Sequence, residues 1–502
     1  MITKIVILCL YFLVLILIGY FSSKQVKDIK DYYVGGKKLG YWIVAFSTRA
    51  TGESAWLLLG LTGLGAVAGI SAYWVVLGEV IGVSVAWFIM AKPFKRLTDQ
   101  YDSITIPDYL VSRFQSKNHT LRIVASTALS VFVIIYVSAQ IDATGSAFES
   151  FLGMNYFLGA LLGFAIVVLY IFFGGFVAVA WSDLFQGILM FLGLVMLPLV
   201  AVFHLDKGPV IEQLASIDED LVNIWGPGGL TAMNIAVILG YVLIGLGFMG
   251  SPQIFVRFMS IRDENEINKG RWVAIFYTLI TDFAAVTVGL FGRYLFTENG
   301  MDPESVFGNN GQDVLTVLVE NVMPLVVIGL YVAVVLSAIM STIDSLLVVA
   351  SSAVVRDFYQ QIFNPESKQE NLTKLSRFVT LTMALTALGL AMLVAINAPE
   401  RTIFWFVIFG WSGIAATFCP VIILSLFWKN YTEAGAITSM IVGFLGVPFF
   451  KFVMPNVPEI GLYFDKIDVL GPSFLLSMIA GYLVSKIWPD PSLQNALINS
   501  NS

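Results

Sequence analysis

Ten residues inside an apolar stretch, Ser47-Thr48-Arg49-Ala50-Thr51-Gly52-Glu53-Ser54-Ala55-Trp56, carry two charges, four hydroxyls and a glycine. Ionisable groups are costly within a bilayer, so each one there is a functional hypothesis by default. The stretch reads as an interrupted helix whose freed carbonyls and helix ends could coordinate an ion or a solute. The plainer reading is that Arg49 and Glu53, four residues apart, pair with one another. A second stretch, Ser337-Ala338-Ile339-Met340-Ser341-Thr342-Ile343-Asp344-Ser345, places five polar side chains in nine residues. Hydroxyls and a carboxylate are hard oxygen ligands that suit a hard cation. The alternative is that the hydroxyls bond back to the preceding helical turn. Asp183 follows Trp181-Ser182 at an expected helix start, so it is either an N-cap or a functional carboxylate. Asp142 lies mid-span near Tyr136, Ser138 and Gln140, and could line a wet cavity or contact Arg49. Glu79 and Asp282 lie near the middles of their spans and carry no assigned role. Gly245, Gly247 and Gly250 before Pro252, and Gly410 and Gly413 around Trp411, read as sites of close helix packing rather than ligand contact.

The elements that must position these residues follow from composition. Of 502 residues, 58% are hydrophobic and 12% charged, against about 25% charged in a soluble protein, and mean hydropathy is +0.83. Such a chain cannot cover a water-facing surface; it is an all-α, polytopic membrane protein. A nucleic-acid binder, a soluble enzyme and a disulfide-stapled secreted domain are excluded. Cys9 and Cys419 both sit in apolar runs, and His119 and His204 are far apart, so neither a disulfide framework nor a metal cluster is expected from them. A crossing needs about 20 apolar residues. Thirteen runs qualify, at roughly 4–22, 42–70, 73–91, 121–149, 155–176, 181–204, 232–252, 272–296, 315–352, 373–396, 401–427, 433–453 and 467–487. Pro324 divides the run at 315–352 into a short helix and a span. The first run is too long for a signal peptide and lacks a small-residue cleavage site. Of 28 Lys and Arg, 21 fall in alternate loops: 23–41, 92–122, 255–272, 353–377, Lys429 and Lys486. The positive-inside rule then puts the N-terminus outside and the C-terminus in the cytoplasm. The tail at 489–502 is short and polar, with no room for a signalling domain.

Taken together, these segments resemble the sodium/solute symporter family, and within it most closely the sodium/proline symporters. The match rests on Asp31-Tyr32-Tyr33-Val34-Gly35-Gly36, Ser54-Ala55-Trp56-Leu57-Leu58-Leu59-Gly60, Thr105-Ile106-Pro107-Asp108-Tyr109 with Arg113-Phe114, Gly174-Gly175-Phe176 with Trp181-Ser182-Asp183, Gly250-Ser251-Pro252-Gln253 with Arg257-Phe258, Met340-Ser341-Thr342 and Trp411-Ser412-Gly413. No single motif decides it; their order and spacing over most of the chain do. The resemblance implies a core of five helices related to the next five by inversion, with broken helices. The first repeat would occupy 42–204 and the second 232–427, with 1–22 and 433–488 peripheral. It also implies a sodium site from the backbone of Ala50, Glu53 and Ala338 and the side chains of Ser341 and Thr342. The solute would lie near Thr51, Ser54, Ala55, Trp56, Tyr136, Ile244, Phe248 and Pro252. Asp183 matches a family carboxylate linked to sodium use; Arg49, Asp142 and Asp344 are further candidates for coupling or a second ion.

Three departures stand out. The proline symporters carry an Asp where this chain has Gly52, and an apolar residue at Glu53. A Trp and a Tyr of their solute site are Ile244 and Phe248 here. Arg49 and Asp142 are charges at positions that are small or apolar in those proteins. The expected function is sodium-driven uptake of a small polar solute, proline or a related amino acid, in the plasma membrane. Glu53 could supply the charge missing at Gly52. Arg49 could instead draw an anionic solute such as a carboxylate or sugar acid, a neutral sugar is a further option, and the extra carboxylates could admit protons. Some relatives of the family serve as sensory membrane domains, so a sensor with little flux is the competing class. No nucleophile–base pair speaks for an enzyme.

Overall fold

The computed structural model describes residues 2–399 and 401–490. Among these residues there is no strand, only an isolated parallel bridge between Leu39 and Ile261. Helices satisfy every backbone polar group internally, which hydrocarbon demands. The principal helices are α1 (Ile2–Ser23), α2 (Tyr41–Ala55), α3 (Tyr73–Val85), α4 (Thr120–Leu152), α5 (Tyr156–Ala201), α6 (Ala232–Leu243), α7 (Pro252–Ser260), α8 (Glu264–Phe296), α9 (Leu325–Ser352), α10 (Gln369–Asn397), α11 (Ile403–Phe427), α12 (Glu433–Phe452) and α13 (Leu470–Ile487). Eleven described stretches are long and apolar enough to cross a membrane. One of them, Tyr41–Gln100, is 60 residues long, far more than the ~20 a crossing needs. The most apolar windows of α9 and α11 are 83% buried, against 28% in α1, α10 and α12. The former are central, and the latter present most of their surface outward.

Two breaks lie close to the candidate residues, one near the end of α2 and one between α6 and α7. Near the end of α2, Ser54 takes φ 48°, ψ −167°, and the chain continues as a wide turn over Trp56–Leu61 and a helix at Thr62–Ala68. Beyond α6 the chain tightens over Ile244–Phe248, opens at Gly250 (φ 147°), and resumes at Pro252 as α7. The resemblance implies an inverted five-plus-five architecture, and transporters built from inverted repeats use broken helices of this kind to hold ligands near the midplane.

Some sequence expectations are redrawn. The runs at 155–176 and 181–204 join into α5, which is continuous except at Gly175 (φ 55°), a conformation that glycine reaches without steric cost. Asp183 therefore lies within a helix and is not an N-cap. Pro324 does separate a short helix, Val314–Val322, from α9. Arg257, counted above with a basic loop, lies in α7 and is fully buried. Of the expected tail, residues 491–502 lie outside the described residues.

Candidate ion and solute site

Where α2 meets α9, five oxygens converge. The Ser341 hydroxyl lies 2.9 Å from the Ala50 carbonyl and 3.1 Å from that of Ala338. The Thr342 hydroxyl lies 3.1 Å from the Thr51 carbonyl and 3.2 Å from that of Ala338. Each hydroxyl has one proton and two lone pairs, so it can serve only one of its two carbonyls at a time. The hydroxyls thus bond both back along α9, as the plainer reading held, and across to α2. The strained backbone at Ser54, in a region non-glycine residues enter at a cost of about 1–3 kcal/mol, ends α2 just beyond these carbonyls. A neutral set of hydroxyl and carbonyl oxygens suits sodium, a hard cation. Glu53 does not join this set as expected: its carbonyl accepts the Trp56 amide N–H, and the Thr51 carbonyl faces α9 in its stead.

Next to this set lies a buried ion-pair network that the sequence reading did not foresee. Arg257 Nε donates to Ser47 Oγ at 2.6 Å and Nη2 to Asp183 Oδ2 at 2.7 Å. The same guanidinium donates to the Gln253 carbonyl through Nη1, and the Thr51 and Ser345 hydroxyls also lie within hydrogen-bond reach of Nη2. Ser47 donates to Asp183 at 2.6 Å, and Thr51 and Ser345 share a hydrogen bond of 2.8 Å. The Asp344 carboxylate, fully buried, accepts from Ser345 Oγ at 3.1 Å. Asp183 is thereby a partner of the cation-site helices. The Thr51 hydroxyl, expected at the solute, is engaged here.

The side chains expected around a solute lie between the two helix breaks. Gln140 Oε1 accepts the Ala55 amide N–H at 3.0 Å, beside the break, while its Nε2 is buried without a protein acceptor. The Trp56 indole N–H reaches the Gly52 carbonyl at 3.3 Å. Phe248 packs on Trp411 with ring centroids 4.9 Å apart, Tyr136 meets the same indole at 6.4 Å, and Trp411 Nε1 donates to the Ile244 carbonyl at 3.3 Å. Pro252 is buried at the start of α7. Gln140 and Trp411 were not singled out for this role: a lone amide or indole in a span carries no signal of its partner.

Arg49 caps this aromatic group, 4.6 Å above the Phe248 ring. It is bonded to Glu53, as pairing predicted, and also to Glu79 at 3.3 Å. An anionic solute would have to compete with both carboxylates for it. Asp142 does not contact Arg49; it bonds to Arg401 and Tyr156 near the opposite end of α4 from the basic loops. A Cβ at Gly52 would fall 2.7 Å from Phe248 Cε1, and Phe248 is held by Trp411 and Arg49. An Asp at this position therefore needs the ring to move. Gly52→Asp is expected to cost about 1–3 kcal/mol through overpacking, with uptake falling accordingly. Gly52→Asp with Phe248→Ala should cost less than the sum of the two single variants, as read by thermal melts assembled into a double-mutant cycle. A single variant as stable as the parent would refute the clash.

Comparisons with known proteins give the family and the fold. The family model of the sodium:solute symporter family matches residues 32–443. The high-affinity proline transporter PutP of Bacillus subtilis is 34% identical over 95% of this chain and 97% of its own. The osmoregulated proline transporter OpuE of the same organism is 34% identical over 97% and 95%. A sodium/proline symporter of Staphylococcus aureus is 32% identical over 97% and 93%. Among solved structures, a Na+-coupled sialic acid symporter in a substrate-bound outward-open state superposes with TM-score 0.79 at 18% identity, covering 97% of this chain and 98% of that one. A nucleobase-cation-symport-1 family transporter in a closed conformation gives TM-score 0.54 at 12% identity, covering 92% and 97%.

Proposed function

We propose that this chain, which belongs to the sodium:solute symporter family, couples inward sodium movement to uptake of L-proline or a related amino acid. Family and relatives alike are transporters, not enzymes. The observation that carries the reading is the set of five oxygens joining α2, from the first half of the core, to α9, from the second. The relatives named for proline support the choice of solute.

Sodium held by Ala50, Thr51, Ala338, Ser341 and Thr342 ties the two repeats (42–204 and 232–427) together and fixes the end of α2. That order shapes the solute site at Ser54, Ala55, Trp56, Tyr136, Ile244 and Phe248. The free Gln140 Nε2 supplies a donor for a carboxylate. Binding of either ligand then favours the other, because coupling is reciprocal. In a plasma membrane, with the N-terminus outside as the Lys and Arg bias predicts, the potential adds about 2.3 kcal/mol per inward charge per 100 mV. Closure on the outside and release of sodium, then solute, into the low-sodium interior completes the cycle.

The test is L-proline uptake into proteoliposomes with and without an inward sodium gradient. Sodium-dependent accumulation supports the proposal and makes Ile244 and Phe248 tolerated variations. Protein that is stabilised by sodium but accumulates no proline has another solute, and anionic candidates follow. Proline binding without flux places it with the sensors.

A further inference from the structure

A second group of charges lies off the sodium oxygens, on three different helices. Glu53 comes from α2, Glu79 from α3 and Asp282 from α8; all are at most 1% exposed. One carboxylate oxygen of each lies within 4.8 Å of the other two. Arg49 takes up one of the three charges through its bonds to Glu53 and Glu79.

Asp282 is the informative member. The hydroxyl that contacts it, Thr281 at 3.2 Å, lies closer to the Tyr277 carbonyl, at 2.7 Å. A hydroxyl has one proton to give, and the shorter contact takes it. Asp282 Oδ2 has no partner, and neither has Glu53 Oε2. One oxygen of a fully buried carboxylate thus has no donor, in a side chain whose carboxyl group lies close enough to Glu79 to share a hydrogen bond when one of the two is protonated. The remaining facing groups bring no compensating charge: Phe248 lies under Arg49, and the Tyr277 hydroxyl is spent on the Gly187 carbonyl at 3.0 Å. With all three ionised, three carboxylates and one guanidinium would leave two negative charges to be met by a cation or by protons, deep in spans where each buried ion costs several kcal/mol.

We infer that Glu53, Glu79 and Asp282 form a second cation site that takes a sodium ion. The donor set is all carboxylate oxygen, the chemistry of a hard cation. The inference rests on the sodium-coupled reading above but uses none of its five oxygens. Both sites hang on α2, Glu53 lying two residues beyond Thr51, so the two ions would favour one another's binding through the same helix end. The site also gives Arg49 a role: a tethered cation that holds the carboxylates together when sodium is absent.

The experiment is radioactive sodium binding to the purified full chain in detergent, alongside sodium-induced shifts of its melting temperature against choline chloride at fixed ionic strength and at several pH values. A ligand that binds only the folded form raises stability with its concentration. The parent should bind two sodium ions per chain. Asp282→Asn should bind one, with a shallower sodium titration. Should that variant fail to fold, Glu79→Gln serves the same purpose. Ser341→Ala with Thr342→Ala should remove the other ion and leave one that is still lost on Asp282→Asn. One ion per chain in the parent, or two in both carboxylate variants, overturns the inference. So does a changed pH dependence with sodium binding intact, which would mean that protons neutralise the group. If the Ser341 and Thr342 variants bind two ions, the first site has failed and the carboxylate site is judged by its own variants.

Discussion

Sodium activation of uptake should fall by roughly 100-fold or more when Ser341 and Thr342 are both replaced by alanine. Each hydroxyl contact to a charged partner contributes about 1.5–3 kcal/mol, and 1.4 kcal/mol is about a factor of ten in affinity. The two side chains are fully buried and engage the Ala50, Thr51 and Ala338 carbonyls at 2.9–3.2 Å. Removing them deletes the contribution of α9's side chains to the five oxygens and leaves three carbonyls. The measurement is initial uptake against sodium concentration in proteoliposomes, with the solute constant recorded alongside. The sodium constant should rise in each single variant and most in the double. The solute constant, taken at saturating sodium, should move far less. Unchanged sodium dependence in the double variant would remove this site from the mechanism. Serine at position 342 is a useful control: it keeps the hydroxyl, so most of the activation should survive.

Some of this was legible in the amino-acid order. Ser341, Thr342 and Asp183 stand out because polar groups are scarce within spans and each must find a partner. The interruption near residue 53 was legible for the same reason. What could not be read was which atoms meet. Glu53 and Thr51 differ by two positions, and only the turn of α2 decides whose carbonyl faces α9. Gly52 suggests a flexible joint, yet the positive φ falls on Ser54, while Gly52 makes room for Phe248. Glu79 and Asp282 each look like a lone acid in sequence. Their meaning lies in lying within 4.8 Å of one another and of Glu53, from segments about 30 and 200 residues apart. Asp142 finds Arg401, a residue 259 positions away, which no local pattern could nominate. Arg257 was hidden for a different reason. It falls close to a run of loop cations, and a count of charges cannot distinguish the last turn of a buried helix from the loop that follows.

That hidden arginine carries the other large effect. Arg257→Gln should destabilise the protein by about 3–5 kcal/mol, the cost of leaving a buried charge unpaired. Asp183 is its ion-pair partner, with 0% of its side chain exposed against 1% for Arg257, so water cannot take the guanidinium's place. Asp183→Asn alone should cost a similar amount, because it strands the arginine instead. The double variant, Asp183→Asn with Arg257→Gln, should be more stable than the sum of the singles implies, since it removes both charges together. Thermal melts in detergent, assembled into a double-mutant cycle, give the coupling directly. Additive effects would show that the pair is not a unit. The same network ties four helices together. Arg257 sits on the second broken helix and grips Ser47 and Thr51 on the first, Asp183 on α5 and Ser345 on α9. Any swing of α7 away from α2 must break these bonds, and a rearrangement that breaks a buried charged pair is disfavoured until something else meets the charge. Arg257→Lys isolates this role. It keeps the charge but loses the planar fork that reaches several oxygens at once. It should therefore retain much of the stability that Arg257→Gln loses, while uptake slows because the grip on α2 and α9 is no longer set in one geometry.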